Sequence, residues 1–308
     1  MERRNFIKSG LASSALLAGT GTLWSKTEEK TPSTAAQKFN LHYAPHLGMF
    51  KGLAGDDPVD QLKFMADQGF TAFEDNGMKN RDISVQKKMA AEMERTGMKM
   101  GVFVAHTIPW REPVLTSGKP EGREAFLKEI RESVEVAKRV NATWMTVVPG
   151  FQDLRLNMAY QTANMVETLK QACEILEPHG LVIVLEPLNF YNHPGMFLTE
   201  VPQAYMFCKS VGSPSCKILF DIYHQQITEG NIIPNIDLAW EEVAYFQIGD
   251  NPGRKEPTTG EINYLNIFKH IHDKGYDGIL GMEHGNFHKG KEGEERLIEA
   301  YRKVDSFL

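Results

Sequence analysis

The stretch Gly180-Leu-Val-Ile-Val-Leu-Glu-Pro187, GLVIVLEP, carries five consecutive apolar residues closed by a carboxylate. An unbroken β-branched and leucine run of this length suits a strand buried on both faces, as in a parallel sheet covered by helices. Gly180 before it accepts the left-handed conformation that ends a helix. The polar residue at the end marks where such a strand leaves the core.

The same pattern recurs along the chain. Strands are expected near Phe39–Tyr43, Thr71–Glu74, Lys99–Val104, Thr143–Val148, Leu181–Glu186, Lys217–Asp221, Val243–Ile248 and Ile279–Glu283. Amphipathic segments alternate with them: Asp56–Gln68, Asp82–Thr96, Glu121–Val140 and Asn157–His179. The helix after the sixth strand is the least regular, because Gln225–Pro234 contains Gly230 and Pro234. Eight strand–helix units over about 270 residues predict a single (β/α)8 TIM barrel over residues 39–308. No Pro/Gly/Ser-rich break divides them.

The N-terminus reads differently. Arg3-Arg4-Asn5-Phe6-Ile7-Lys8 resembles a twin-arginine export signal, and a short, interrupted apolar stretch from Leu11 to Trp24 follows it. Residues 1–26 are expected to be a signal segment and 27–38 a polar linker, with export to the periplasm. The apolar stretch is too interrupted for a permanent membrane span. Removing residues 1–26 takes away four basic residues and one acidic residue, which moves the formal net charge from −6 to −9. So acidic a protein is poorly suited to nucleic acid, which calls for a positive surface. Three cysteines, Cys173, Cys208 and Cys216, lack metal-thiolate spacing. They leave open a Cys208–Cys216 bridge or three small buried apolar residues. A homo-oligomer is also left open.

In a barrel of this kind the active site lies at the C-terminal ends of the strands. Four consecutive strands end there in an oxygen donor: VLEP at Glu186, LFDIYH at Asp221, YFQIGD at Gln247 and GMEHG at Glu283. Each lies one strand–helix repeat from the next. Like charges brought to about 4 Å repel by about 4 kcal/mol at an effective dielectric near 20. A divalent cation is the simplest expected counter-charge, and an all-oxygen set favours Mg²⁺ or Mn²⁺ over Zn²⁺. Each of these acids, taken alone, also suits the N-cap of the next helix.

His224, three residues past Asp221, is placed to orient a substrate oxygen or a ligand. Among other strand-end residues, His106, Arg254, Trp110 and Glu74 are candidates for contact with the substrate or its surroundings. His46, His193, His284 and His288 fall at similar positions. Trp110 and Phe50 suit either an apolar wall or core packing. Glu261 is expected to cap the next helix or brace its loop.

With these residues in view, the chain resembles the hydroxypyruvate isomerase group of xylose isomerase-like barrels. The likeness is carried by VLEPLNFYNHPGMFLTEVPQAYMFCKSVGSPSCKILFDIYHQQITEGN and by FQIGDNPGRKEPTTGEINY. It implies a metal held by Glu186, Asp221, Gln247 and Glu283, with Glu186 and Glu283 as the acid/base pair. The implied reaction moves a proton next to a carbonyl in a sugar or keto acid, through an enediolate. Related ketose 3-epimerases usually carry His where this chain has Gln247. A 3-epimerase on the same metal site and a non-catalytic sugar-binding barrel are the alternatives. The second has little reason to keep four oxygen ligands, and a repair endonuclease of this superfamily calls for more histidine ligands. The loops FEDNGMKNRD and AHTIPWREPVLTSGKPEG depart from the group, so its substrate is not carried over.

Overall fold

The computed structural model describes residues 36–308. The expected signal segment, and the linker as far as residue 35, lie outside them. Eight parallel strands follow in order: β1 (His42–Ala44), β2 (Ala72–Phe73), β3 (Lys99–Met100), β4 (Trp144–Val147), β5 (Val182–Leu185), β6 (Cys216–Asp221), β7 (Val243–Gln247) and β8 (Ile279–Gly281). One ladder runs β1-β8-β7-β6-β5-β4, and β2 pairs with β3. Parallel bridges between His46 and Glu74, Met100 and Ala142, and Val104 and Thr146 close the circle. The expected barrel is present.

The main helices are α1 (Lys51–Ala54), α2 (Pro58–Asp67), α3 (Ile83–Thr96), α4 (Pro120–Val140), α5 (Met158–Leu176), α6 (Val201–Val211), α7 (Ile222–Thr228), α8 (Ile232–Ala239), α9 (Tyr264–Asp273) and α10 (Gly290–Val304). None of the described helices is long and apolar enough to cross a membrane. The irregular stretch after β6 resolves into two helices rather than one. Gly230 and Asn231, with φ of 60° and 47°, turn the chain between α7 and α8. Pro234 falls in the first turn of α8, where backbone N–H groups lack helical partners anyway.

Strand alternation sorts the buried residues into two sets. Ala44, Ala72, Val102, Val184, Leu219, Tyr245 and Ile279 pack together as an inner layer of the barrel. Their neighbours Ile183, Leu185, Ile218, Phe220, Phe246 and Leu280 belong to the main core. With a side-chain period of two, the next inward-facing layer is fixed by the sequence. Two residues beyond the inner layer stand His46, Glu74, Val104, Glu186, Asp221, Gln247 and Gly281. The open end of the barrel is polar because that layer is polar. Cys173, Cys208 and Cys216 are all free and buried, so no Cys208–Cys216 bridge forms.

Candidate active site

Asp221, the last residue of β6, serves two purposes with two oxygens. Its Oδ1 accepts from the backbone N–H of Tyr223 (2.8 Å) and His224 (3.3 Å), capping α7. Its Oδ2 lies 3.1 Å from an Arg254 Nη2 that donates to it. The capping role and the site role are therefore held by one side chain.

Glu186 stands beside it, buried at 6% exposure. Burial, then the charges of Glu283 and Asp221, push its carboxyl well above the usual carboxylate range. Glu283 lies two residues past β8 and is more firmly held. Asn76 Nδ2 donates to its Oε1 at 2.8 Å, and Arg254 Nη2 pairs closely with its Oε2. Its carboxyl is pushed up to about 7 by burial, against the lowering pull of Arg254. Two glutamates thus face one space with different attachments.

Arg254 sits where the carboxylates converge. Its Nε donates to the Glu283 carbonyl (3.2 Å), and its guanidinium lies 4.8 Å from the centre of the Tyr223 ring. Burial acts to lower its pKa, but the charges of Glu283, Asp221 and Glu186 outweigh it and raise the value further. The counter-charge expected from a cation alone is supplied in part by this guanidinium.

His224 is buried and neutral, lowered to about 4 by loss of solvation. Its Nδ1 accepts from the backbone N–H of Asn189 at 3.1 Å. The ring proton therefore resides on Nε2, which faces Asp221 Oδ2 (3.6 Å) and Glu186 Oε1 (3.8 Å). A ring fixed in this tautomer donates toward the site.

Glu74, in the same inward layer and buried, accepts from Tyr245 Oη (2.8 Å) and Gln247 Nε2 (3.0 Å). Burial and then Glu283 push its carboxyl well up. Room for it exists because residue 281 is glycine: a Cβ there would stand 1.8 Å from Glu74 Oε2. Gln247 spends its amide N–H on Glu74, and its Oε1 is buried without a partner.

These residues fit a divalent cation. One oxygen from each of Glu186, Asp221 and Glu283 and a ring nitrogen of His224 fall within 4.8 Å of one another, and with its proton on Nε2 His224 stands beside the carboxylates as a donor rather than a ligand. The unpartnered Gln247 Oε1 adds a neutral oxygen on the same inward layer. Hard oxygen donors of this kind suit Mg²⁺ or Mn²⁺.

A cavity of about 180 Å³ opens onto the cluster, lined by Asn76, Thr146, Glu186, His224, Arg254 and Glu283 on one side. Val104, Ile108, Trp110, Val148 and Leu188 form an apolar side. A second cavity of about 240 Å³ lies across Asn76 and Glu283, against Glu74, Asp75 and Arg81. A larger one of about 500 Å³, between Glu256, Phe287 and Arg296, contains none of the four strand-end donors.

Most expected site residues are brought together, and some are not. Trp110 lines the cavity and stacks on His193, ring centres 5.4 Å apart. Phe50 is instead core, packed on Phe64 and Phe70. His106, expected near the substrate, turns away: its Nδ1 donates to the Thr107 carbonyl (3.0 Å) and its ring stands edge-on to Phe126. His284 is buried on Tyr301. Glu261 braces its loop by accepting from Asn251, while Asn263 caps α9. Asn76, Asn189 and Gly281 escaped the sequence reading. Asn76 and Asn189 each lie two or three residues past an inward-facing glutamate, in EDN and EPLN, and that offset is the only local signal.

Residues 62–304 match the model of the family described as "Xylose isomerase-like TIM barrel". The chain belongs to the xylose isomerase-like TIM barrel family. Within known proteins of this kind, hydroxypyruvate isomerase of Escherichia coli K12 is 34% identical over 172 residues, covering 53% of this chain and 64% of that one. 2-Oxo-tetronate isomerase of Cupriavidus necator is 29% identical over 198 residues, covering 64% and 76%. The chain thus spans less than two thirds of the E. coli protein. Among solved structures, one titled as an AP endonuclease, family 2, from Brucella melitensis superposes with a TM-score of 0.70 at 23% identity, over 82% of this chain and 96% of that one. That likeness is one of xylose isomerase-like fold alone.

Proposed function

We propose that this protein is a divalent-metal-dependent isomerase of a sugar or keto acid, moving a proton next to a carbonyl. The observation that carries the reading is the convergence of Glu186, Asp221 and Glu283 at the open end of the barrel, with a buried, unpartnered Gln247 Oε1 at the end of the neighbouring strand β7. The isomerase names of the curated relatives support it. Glu186, Asp221, Gln247 and Glu283 would hold Mg²⁺ or Mn²⁺. When bound, such an ion polarises a carbonyl and lowers the cost of charge on its oxygen.

The protein's own groups divide the remaining work. No hydrogen bond among the described residues reaches the Glu186 carboxylate, so it is free to take a proton from carbon. Glu283, held by Asn76 and Arg254, returns a proton at the neighbouring carbon. Carboxyls raised toward neutrality suit this exchange, because acid–base catalysis works best with pKa near the working pH. His224 Nε2–H steadies the enediolate oxygen, and Trp110 excludes water from one side.

Replacing Glu283 by Gln tests the assignment. The variant keeps an oxygen donor and nearly the same volume, so excess Mn²⁺ fills the site. Turnover that stays low at saturating Mn²⁺ supports proton transfer by Glu283; full rescue refutes it and leaves only a ligand role.

We further propose that the chain is exported by the twin-arginine route to the periplasm. Changing Arg3 and Arg4 together to Lys is expected to leave it in the cytoplasm; export at the normal level contradicts this.

A further inference from the structure

We infer that Glu74 is a positioning residue of the metal site: it fixes the Gln247 amide so that the oxygen, and not the NH₂ group, is the end offered to the cation. This rests on the metal-dependent reading above and gives a task to a buried carboxylate that the proton transfer does not use. One observation of hydrogen bonding and one of space carry it.

An amide has two ends of nearly equal size and opposite character, an acceptor and a donor of two N–H bonds. The ladder pairs Gln247 with Asp221 on one side and with Gly281 on the other. Asp221 belongs to the cluster in which Glu186, Asp221 and Glu283 gather acceptor oxygens. An unrestrained amide beside such a cluster turns its NH₂ group toward the carboxylates, because hydrogen bonds to charged acceptors are the stronger ones. A donor in that position supplies no lone pair to a cation. Glu74 reverses the choice. Its Oε1 accepts from Gln247 Nε2 at 3.0 Å. Its Oε2 accepts from Tyr245 Oη at 2.8 Å, and the backbone N–H of Val102 donates to that same hydroxyl oxygen at 3.4 Å, which leaves the phenolic proton for Glu74. Both carboxylate oxygens of Glu74 are thus engaged as acceptors, and the amide nitrogen is drawn to one of them. Gln247 Oε1 is left buried with no partner among the described residues.

The space for this arrangement is made on another strand. Glu74 follows β2, and its carboxylate fills the place that a side chain on residue 281 of β8 would take. A Cβ there would overlap Glu74 Oε2 and stand 3.2 Å from Gln247 Cγ. Tyr245 and Gln247 stand two residues apart on β7, so one strand presents both donors to Glu74. An apolar side chain would fill the same space at a lower desolvation cost. What the carboxylate adds is the direction of the two hydrogen bonds.

Mn²⁺ binding to the purified full-length protein, read by calorimetry without substrate, tests this in a double-mutant cycle. Glu74→Gln and Glu74→Met are each expected to weaken Mn²⁺ binding by at least about tenfold, as the loss of a group that orients a ligand does elsewhere. Thermal melts in chelator identify which of the two folds, and the cycle is run on that variant. Gln247→Met is expected to lose at least as much affinity. In the Gln247→Met background the Glu74 change is expected to alter affinity by less than about threefold, because no amide remains to be oriented. Wild-type affinity in a folded Glu74 variant overturns the inference. So does a tenfold loss that persists in the Gln247→Met background, which would make Glu74 only a nearby charge, and so does wild-type affinity in Gln247→Met itself. Each of these outcomes leaves the ion on the three carboxylates and the metal-dependent reading standing. A wild-type protein that binds neither Mn²⁺ nor Mg²⁺ overturns that reading and the inference with it.

Discussion

The barrel is built unevenly, and the unevenness separates chemistry from shape. Strands β4 to β8 and β1 form one continuous ladder, and the four strand-end donors all come from β5 to β8. On the other side β2 and β3 are two residues each, tied to β1 by one isolated bridge and to β4 by two. The ladder pairs Asp221 with Gln247 directly, and Glu186 and Glu283 follow one and two residues after β5 and β8. The loosely paired side contributes loops: Asn76 after β2, and Ile108 and Trp110 after β3. On the proposed reading the reacting groups come from the ladder, while Asn76, Ile108 and Trp110 come from the loops after β2 and β3.

The largest expected effect lies on the ladder side. Glu186→Gln keeps an oxygen but removes a proton carrier, so turnover is expected to fall by about 10²–10⁴, the usual worth of a positioned acid or base. Substrate affinity, read by calorimetry, is expected to change much less. A loss in affinity as large as the loss in turnover would make Glu186 a binding group.

Asp221 separates two roles on one residue. Asp221→Ala is expected to lose both the metal-linked stability, about 2.7 kcal/mol at a hundred times the dissociation constant, and the α7 cap, about 1 kcal/mol. Asp221→Asn keeps a capping oxygen, so thermal melts with and without Mn²⁺ should show the first loss without the second. Equal losses in the two variants would show that the cap contributes nothing.

On the loop side, His106 is expected to govern stability rather than activity. Burial lowers its pKa from the ordinary 6.5 to about 4. The unfolded chain therefore takes up a proton that the folded chain refuses, and stability falls as pH drops from about 6.5 to about 4. The contribution is up to about 3 kcal/mol. Urea midpoints of wild type and His106→Gln at pH 7 and pH 4.5 should show the variant losing less over that interval. A parallel loss would place the acid sensitivity elsewhere.

Trp110→Ala is the mildest change. It is expected to raise KM by up to about tenfold with kcat little altered, since Trp110 touches the apolar side of the cavity and not the carboxylates. A fall in kcat equal to that from Glu186→Gln would erase the distinction between the two sides.

How much of this was legible in the sequence follows the same division. The apolar run of GLVIVLEP placed Glu186 at a strand end, and the strand–helix repeat placed Asp221, Gln247 and Glu283 at the next three. These readings need only local apolar runs and the eight-fold repeat. Asn76 meets Glu283 across 207 residues, and Gly281 yields space to Glu74 from the far side of the barrel. No local pattern announces such contacts. His106 shows the converse error: a strand-end histidine looks functional until its ring is found packed against Phe126 of α4. Arg254 was a substrate-contact candidate by sequence, and only the fold shows it between Asp221 and Glu283.

The central claim is that the ladder side holds a divalent ion beside a glutamate pair that moves carbon-bound protons. Incubating wild type and Glu186→Gln in D₂O with a panel of ketoses and 2-keto acids, with chelator or with Mn²⁺ or Mg²⁺, tests it most directly. The account predicts deuterium at the carbon next to the carbonyl in wild type with the ion, with uptake abolished by chelator and lowered at least a hundredfold in the variant. Uptake that persists at the wild-type rate in chelator or in Glu186→Gln, or no uptake from any compound, would contradict it.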